Sequence, residues 1–422
     1  MMDTIFIENE RAGINQDHIK ESLARSIQNR RLEKVLLIPP DITRLNSGAG
    51  LITSLLYELL DGVHVDILPA LGTHRPMTRD EQISFFGEKI PADRYLIHNW
   101  RDGITKIGEI PADFIREVSE GLMDGPVDVE ISNYLLDSSY DLILSIGQVV
   151  PHEVVGMANY TKNIVVGCGG SRLINFSHML GAFYGMERIM GRDHSPVRKV
   201  FDYAQEHFLS KLPLEYILTV TVTEDEKTNI IGLYIGKTRD GFTKAVALSQ
   251  KRNLIYVKKP IKTCVVWLDE REFHSTWLGN KAIYRTRMAM ADGGRLIVLA
   301  PGVKMFGEDA ENDRLIRKYG YVGRENVLKL SKSEPELQNN LSAAAHLIHG
   351  SSDGRFTITY ATRILSKDEV LGVAFDYMPF DEAVAKYDPK RLKPGYNTMP
   401  DGEEVYYIDN PALGLWALEG AF

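Results

Sequence analysis

Short β-branched runs alternate with longer amphipathic stretches along this chain. Lys34–Ile38 and segments 63–68, 141–146 and 163–166 read as strands. Segments 17–32, 51–60 and 196–209 read as helices. Segments 216–222 and 230–235 flank an acidic, turn-prone stretch at 223–229, which predicts a hairpin, and 253–257 reads as a further strand. This alternation predicts an α/β fold with a largely parallel sheet. After Pro260 the pattern starts again, with a strand at 264–268, a helix at 279–291 and a strand at 295–300. Gly293 and Gly294 mark the turn before that last strand. Helices at 308–319, 324–330 and 334–349 follow, with strands at 356–360 and 370–374. The expectation is two α/β domains, residues 1–260 and 261–401, with the active site in the cleft between them. The apolar tail 402–422 is expected to pack back on the first domain.

Composition narrows the function classes. The chain has 422 residues, with 49 Lys and Arg against 57 Asp and Glu, a net charge of −8. That balance argues against a nucleic-acid partner. No apolar run approaches the roughly 18 residues a membrane span needs. The N-terminus lacks the basic and apolar regions of a secretory signal, so a cytoplasmic protein is expected. Cys168 and Cys264 are the two cysteines, too few for a disulfide framework or a cysteine zinc site.

Polar clusters follow several strands, where parallel sheets place their sites. Asp41 and Arg44 follow the first; an Asp and an Arg three apart orient each other and present a guanidinium to a carboxylate or phosphate. His74, beside Arg75, follows the second and is an acid/base candidate. His152, Lys162 and His178 follow the third, which is the strongest strand candidate, with a glycine-rich turn from Gly167 to Gly170 among them. Lys162 is a candidate covalent attachment point and His178 a candidate metal ligand. Later in the chain, Trp277 and Lys281 precede or open the predicted 279–291 helix, whose Arg285 and Arg287 read as an exposed basic face. Singly, each has a plain structural reading: a capping aspartate, a solvated loop histidine, a surface lysine, a packed histidine.

Together they resemble the nickel-dependent lactate racemase family, which includes other 2-hydroxyacid racemases and epimerases. Its Asp-x-Thr-Arg motif stands here as Asp41, Ile42, Thr43 and Arg44. Its Gly-x-His-Arg-x-x-Thr motif stands as Gly72, Thr73, His74, Arg75, Pro76, Met77 and Thr78. Its Pro-His pair is Pro151 and His152, followed after ten residues by Lys162 and after sixteen more by His178. Its later lysine and Gly-Gly turn match Lys281 and the Gly293, Gly294 pair.

The resemblance implies a nickel pincer nucleotide, a pyridinium-derived mononucleotide carrying sulfur and carbon donors to nickel. It implies Lys162 as covalent tether, His178 as nickel ligand, and His74 and His152 as paired acid/base groups. Arg44 and Lys281 would bind the substrate carboxylate, with Asp41 and Arg44 near the cofactor. Enzymes that build the cofactor would be partners for loading. The chemistry fits a 2-hydroxycarboxylate. Its C2 proton is a poor acid beside a carboxylate, so hydride removal through a transient 2-keto acid is the easier route to inversion. Trp277 and Leu278 replace the family's Tyr-Gln pair, Glu153, Val154 and Val155 replace aromatics, and Ala158, Asn159, Tyr160 and Thr161 replace Ser-Gly-Gly-Arg. These changes point away from lactate toward a longer or polyhydroxylated acid such as gluconate. Two rival readings remain: a zinc hydrolase using His74, His152 and His178, and a non-enzymatic two-lobed ligand-binding protein.

Overall fold

The structure, a computed structural model, describes residues 4–224 and 227–421. The chain divides into two compact units. The first comprises residues 1–180 and 189–253, and the second comprises 181–188 and 254–422. Both are α/β, as the alternation of patterns predicts.

The first unit is built on a six-stranded sheet in the order Ile5–Glu8, Lys227–Gly236, Leu214–Glu224, Leu142–Gln148, Lys34–Ile38, His64–Ile67. The last four are mutually parallel, and the first two add antiparallel. Both faces of the parallel strands are covered, which explains why they read as unbroken apolar runs. Leu36, Ile38 and Ile143 pack into one layer, and Val35, Leu37, Leu142 and Leu144 into the other. Gln16–Ile27 and Ala49–Leu59 cover the second layer, the first capped by the Asn15 side chain. Ser195 caps Pro196–Ala204, with Pro196 in the first turn where its missing N–H costs nothing. A π-helical turn, Gln205–Leu209, continues it. The 223–229 hairpin connection falls partly outside the described residues.

The second unit carries its own six-stranded sheet. Its order is Asp376–Tyr377, Phe356–Thr362, Met290–Ala300, Ile261–Trp267, Glu404–Ile408, Gly395–Thr398, parallel except for the last pair. The tail expected to return to the first domain is instead part of this unit. Val405 and Tyr407 bury in its core, and Trp416–Leu418 pairs in parallel with Ile255–Val257.

Three local expectations fail for identifiable reasons. Segment 163–166 is not a strand, because Thr161–Val165 is a short helix buried nearly all round. A short apolar run cannot reveal its own period. Segment 279–291 is not one helix but two short ones, Thr276–Gly279 and Lys281–Tyr284, followed by turns and the Met290–Ala300 strand. Its arginines are not an exposed face. Arg287 is buried against Glu187 at 2.6 Å and Asp353 at 3.0 Å, and Arg285 is buried as well. Segment 370–374 is preceded by a Ser366–Glu369 capping box, which starts a helix at Lys367–Gly372.

Candidate active site

Each chemistry-bearing motif of the first unit follows the carboxyl end of a parallel strand. The Lys34–Ile38 strand runs through Pro39 and Pro40 to Asp41, which caps the 3-10 helix Ile42–Ser47. The Asp41 carboxylate accepts hydrogen bonds from the Thr43 hydroxyl at 2.5 Å and from Nδ1 of His74 at 2.6 Å. Burial alone would push its pKa up, but the bonds from His74 and Thr43 hold it below the usual carboxylate range. The carboxylate thereby fixes the His74 tautomer with Nε2 pointing away, while the ring stays 57% exposed. Gly72, at φ 56°, turns the chain into this loop, and its N–H donates to the Gly167 carbonyl at 2.8 Å. Arg44 makes no hydrogen bond or ion pair through its guanidinium among the described residues. A cavity of about 280 Å³ lies beside the His74 loop, lined by Leu71, Pro76, Met77, Arg79 and Tyr95 among others.

The Leu142–Gln148 strand leads to a small hairpin, Pro151–His152 against Gly156–Met157. His152 is buried, at 7% exposure. Its Nδ1 accepts the Val154 N–H at 3.1 Å, so that nitrogen carries a lone pair. Its proton therefore sits on Nε2, which lies 3.1 Å from the Lys162 amine. An ammonium has no lone pair to receive that proton, so the contact requires a neutral Lys162. The electrostatics agree. Burial, with the Arg44 charge, brings the Lys162 amine down to about 7. Burial also holds His152 neutral, well below its ordinary value, with Lys162 and Arg44 adding to the effect and Glu153 opposing it.

Lys162 is aimed by its neighbours. The Asn163 amide donates to the Ile38 carbonyl and to the Ser145 hydroxyl, each at 3.0 Å, pinning the short helix to two strands of the sheet. Sequence reading passed over Asn163, and its place beside Lys162 was the one available signal. The glycine-rich turn that follows serves packing. A Cβ on Gly169 would stand 1.9 Å from the Val165 carbonyl, and one on Gly170 2.2 Å from Glu130. His98 donates from Nε2 to the Gly169 carbonyl at 3.0 Å.

His178 lies on the Ser171–Tyr184 helix. Its Nδ1 donates to the Ile174 carbonyl one turn back at 2.7 Å, which leaves a lone pair on Nε2. Burial lowers its pKa, partly offset by that carbonyl. A neutral histidine held through one nitrogen by a backbone carbonyl is the usual arrangement of a metal ligand. Among the described residues, no group of three or more His, Cys, Asp or Glu side chains could hold a metal ion. A zinc centre made only of protein donors therefore has no ligand set here. Asp41, Arg44, His152, Lys162 and His178 form one electrostatic neighbourhood, since the Arg44 charge acts on both His152 and Lys162, and His178 on His152.

The later candidates belong to the second unit. Lys281 opens a four-residue helix, its amine 4.0 Å from Glu272 and 5.6 Å from the centre of the Phe273 ring. The Trp277 ring stacks on His346 at 4.2 Å. Burial takes His346 down to about 3, so it is neutral, and its Nε2 contacts the Tyr321 hydroxyl at 3.0 Å. Thr276 spends its proton on the Phe306 carbonyl at 2.9 Å, so Tyr321 donates to Thr276 and receives the His346 Nε2–H. This chain fixes the Trp277 ring.

Comparison with known proteins gives the same picture. Residues 8–189 match the family profile described as lactate racemase N-terminal domain. A lactate racemase from Lactiplantibacillus plantarum is 27% identical over 237 residues, 52% of this chain and 50% of that protein. The chain thus matches about half the length of this curated relative. A solved protein from Thermotoga maritima superposes with a TM-score of 0.80 at 25% identity, over 98% of this chain and 100% of that one. The lactate racemase apoprotein from Thermoanaerobacterium thermosaccharolyticum superposes with a TM-score of 0.70 at 16% identity, over 94% of this chain and 92% of its own, a likeness of fold. Through residues 8–189, this chain is similar to the N-terminal domain of the lactate racemase family.

Proposed function

We propose that the protein is an isomerase, a racemase or epimerase inverting C2 of a 2-hydroxycarboxylic acid with a nickel pincer nucleotide. The observation that carries this reading is the buried Lys162 amine, brought down to about 7 and lying 3.1 Å from His152 Nε2. A surface lysine is protonated and unreactive at neutral pH, whereas a desolvated one is a nucleophile. The residues fit the group: Lys162 would tether it, and His178 would offer Nε2 to its metal. A single protein ligand suits a metal whose other donors arrive with the nucleotide. When bound, the group supplies an electrophilic hydride acceptor.

The chain's own residues do the rest. Arg44 holds the substrate carboxylate. His74, braced by Asp41, exchanges the hydroxyl proton of one enantiomer, and His152 that of the other. In the untethered chain His152 Nε2 is engaged by Lys162. Acylating that amine removes the lone pair that engages it and frees the imidazole for substrate. With the group bound, its reversible hydride chemistry would allow inversion of C2, while these residues hold the carboxylate and move the hydroxyl proton.

Glu153 beside His152 and the fixed Trp277 ring favour a hydroxyl-rich substrate, such as gluconate, over lactate. The partners are that acid and the enzymes that build and load the cofactor, with neither nucleic acid nor membrane involved. No helix among the described residues is long and apolar enough to cross a membrane. The test is intact mass and nickel content of protein made with and without the pincer biosynthesis enzymes. An adduct on Lys162 with nickel supports the reading. Zinc without an adduct would favour a hydrolase, and neither metal nor adduct a binding protein.

A further inference from the structure

Arg198 is wholly buried on the Pro196–Ala204 helix, and it makes no ion pair with a carboxylate among the described residues. Such a residue is costly to bury, so what it touches matters. Its guanidinium donates to the Thr161 hydroxyl at 2.7 Å, the Met157 carbonyl at 2.7 Å and the Asn159 carbonyl at 3.2 Å. All three acceptors lie within the six residues that end at Lys162. The Phe242 ring backs the guanidinium at 4.4 Å.

The segment it grips is strained. Asn159 and Tyr160 are consecutive non-glycine residues at φ 64° and 57°, a conformation side chains other than glycine's seldom adopt. Strain of this kind persists only where surrounding contacts over-determine it. Tyr160 is buried, its ring 4.4 Å from that of Tyr216 and stacked on Phe242 at 5.1 Å, and it borders a cavity of about 260 Å³ with Asp202, Glu206 and Arg239. The hydrogen bonds of Arg198 add to that packing three bonds on the turn that delivers Lys162, beside the Ala158 N–H donated to the Val150 carbonyl.

We propose that Arg198 is a positioning residue that clamps the strained turn at 157–161 so that the Lys162 amine stays desolvated beside His152. The proposal rests on the reading of Lys162 as the tether and adds what holds it there. The groups facing the amine are His152, Arg44, Glu153, Asp41 and His178, and those around Arg198 are Asp202, Arg239, Asp193 and Tyr160. None of these bonds to the three acceptors that Arg198 holds, so none replaces the clamp.

The test uses the full chain without cofactor. Acetylation of Lys162 by acetic anhydride is followed by peptide mass spectrometry against pH, with exposed Lys199 on the same helix as internal reference. In the native chain Lys162 labelling should reach half its maximum near pH 7. Arg198→Lys keeps the charge but cannot span three acceptors, and Thr161→Val removes one of them. Both should shift the Lys162 profile upward, Arg198→Lys by at least one pH unit, making labelling at pH 7 at least about fivefold slower. Lys199 should not move. Arg198→Met should shift at least as far if it folds; if it does not, the other two variants decide. Native profiles in folded Arg198→Lys and Thr161→Val would overturn the proposal. So would a native Lys162 that labels like Lys199. The readout needs no cofactor, so failure to find a Lys162 adduct would sink the proposed function without touching this result.

Discussion

His152 donates its Nε2 proton to the amine of Lys162 across 3.1 Å, because its other nitrogen already receives the Val154 N–H. Burial of that amine, with the Arg44 charge beside it, brings it down to about 7, so the backbone hydrogen bond and the electrostatics of the lysine agree.

That relationship has a consequence for stability. The Lys162 pKa is about 7 in the folded chain, against about 10.4 for an ordinary lysine. Between those values the unfolded chain binds the extra proton, so this group opposes folding at pH 7 and below, and its penalty fades as pH rises toward 10. Lys162→Met should therefore raise stability by ~1–3 kcal/mol at pH 7 and by much less at pH 10. Urea unfolding at the two pH values measures this; an equal effect at both would mean that the lysine is charged in the native state.

Tether and metal ligand should separate experimentally. Lys162→Ala should carry no adduct after co-expression with the biosynthesis enzymes, while His178→Ala should keep its adduct and lose most of its nickel. Intact mass and elemental analysis read both. Nickel retained at full occupancy in His178→Ala would remove that residue from the metal's coordination.

The acid/base pair makes a third prediction. His74→Ala should slow C2 inversion by about 10²–10⁴-fold, the usual range for losing a general acid or base. Adduct and nickel should be unchanged. Asp41→Asn should fall between this variant and the native enzyme, because it keeps a partner for His74 but loses the charge. Native turnover in His74→Ala would show that proton transfer lies elsewhere.

Substrate choice gives the fourth. Sites with buried polar groups discriminate strongly against ligands that leave those groups unpaired. Loaded enzyme should epimerise gluconate with at least about tenfold higher kcat/KM than lactate, malate or 2-hydroxybutyrate, corresponding to only ~1.4 kcal/mol of discrimination. Chiral chromatography or NMR follows C2. Lactate as the best substrate would refute the pocket argument and leave the likeness to lactate racemases untouched.

Much of the first unit was legible in the chain. The strands at Lys34–Ile38, His64–Ile67 and Leu142–Gln148 carry apolar runs with nothing local to compete with them, and polar motifs follow each. The spacing of His152, Lys162 and His178 is likewise a property of the string. The helix at Thr161–Val165 was not legible, because its form is set by Asn163 bonding to Ile38 and Ser145, partners more than 100 and nearly 20 residues off. The same holds for Arg287, whose charge reads as a surface feature until Glu187 and Asp353 arrive beside it.

The sequence by itself determined the α/β class, the likeness of residues 8–189 to the lactate racemase N-terminal domain and which residues are candidates for the chemistry. Those depend on residue type, local period and spacing. Tertiary structure alone decided which lysine is neutral, which nitrogen of each histidine carries the proton, and that a buried arginine holds a strained turn. Protonation and tautomer are set by burial and by hydrogen-bond partners, and those exist only once distant segments have been brought together.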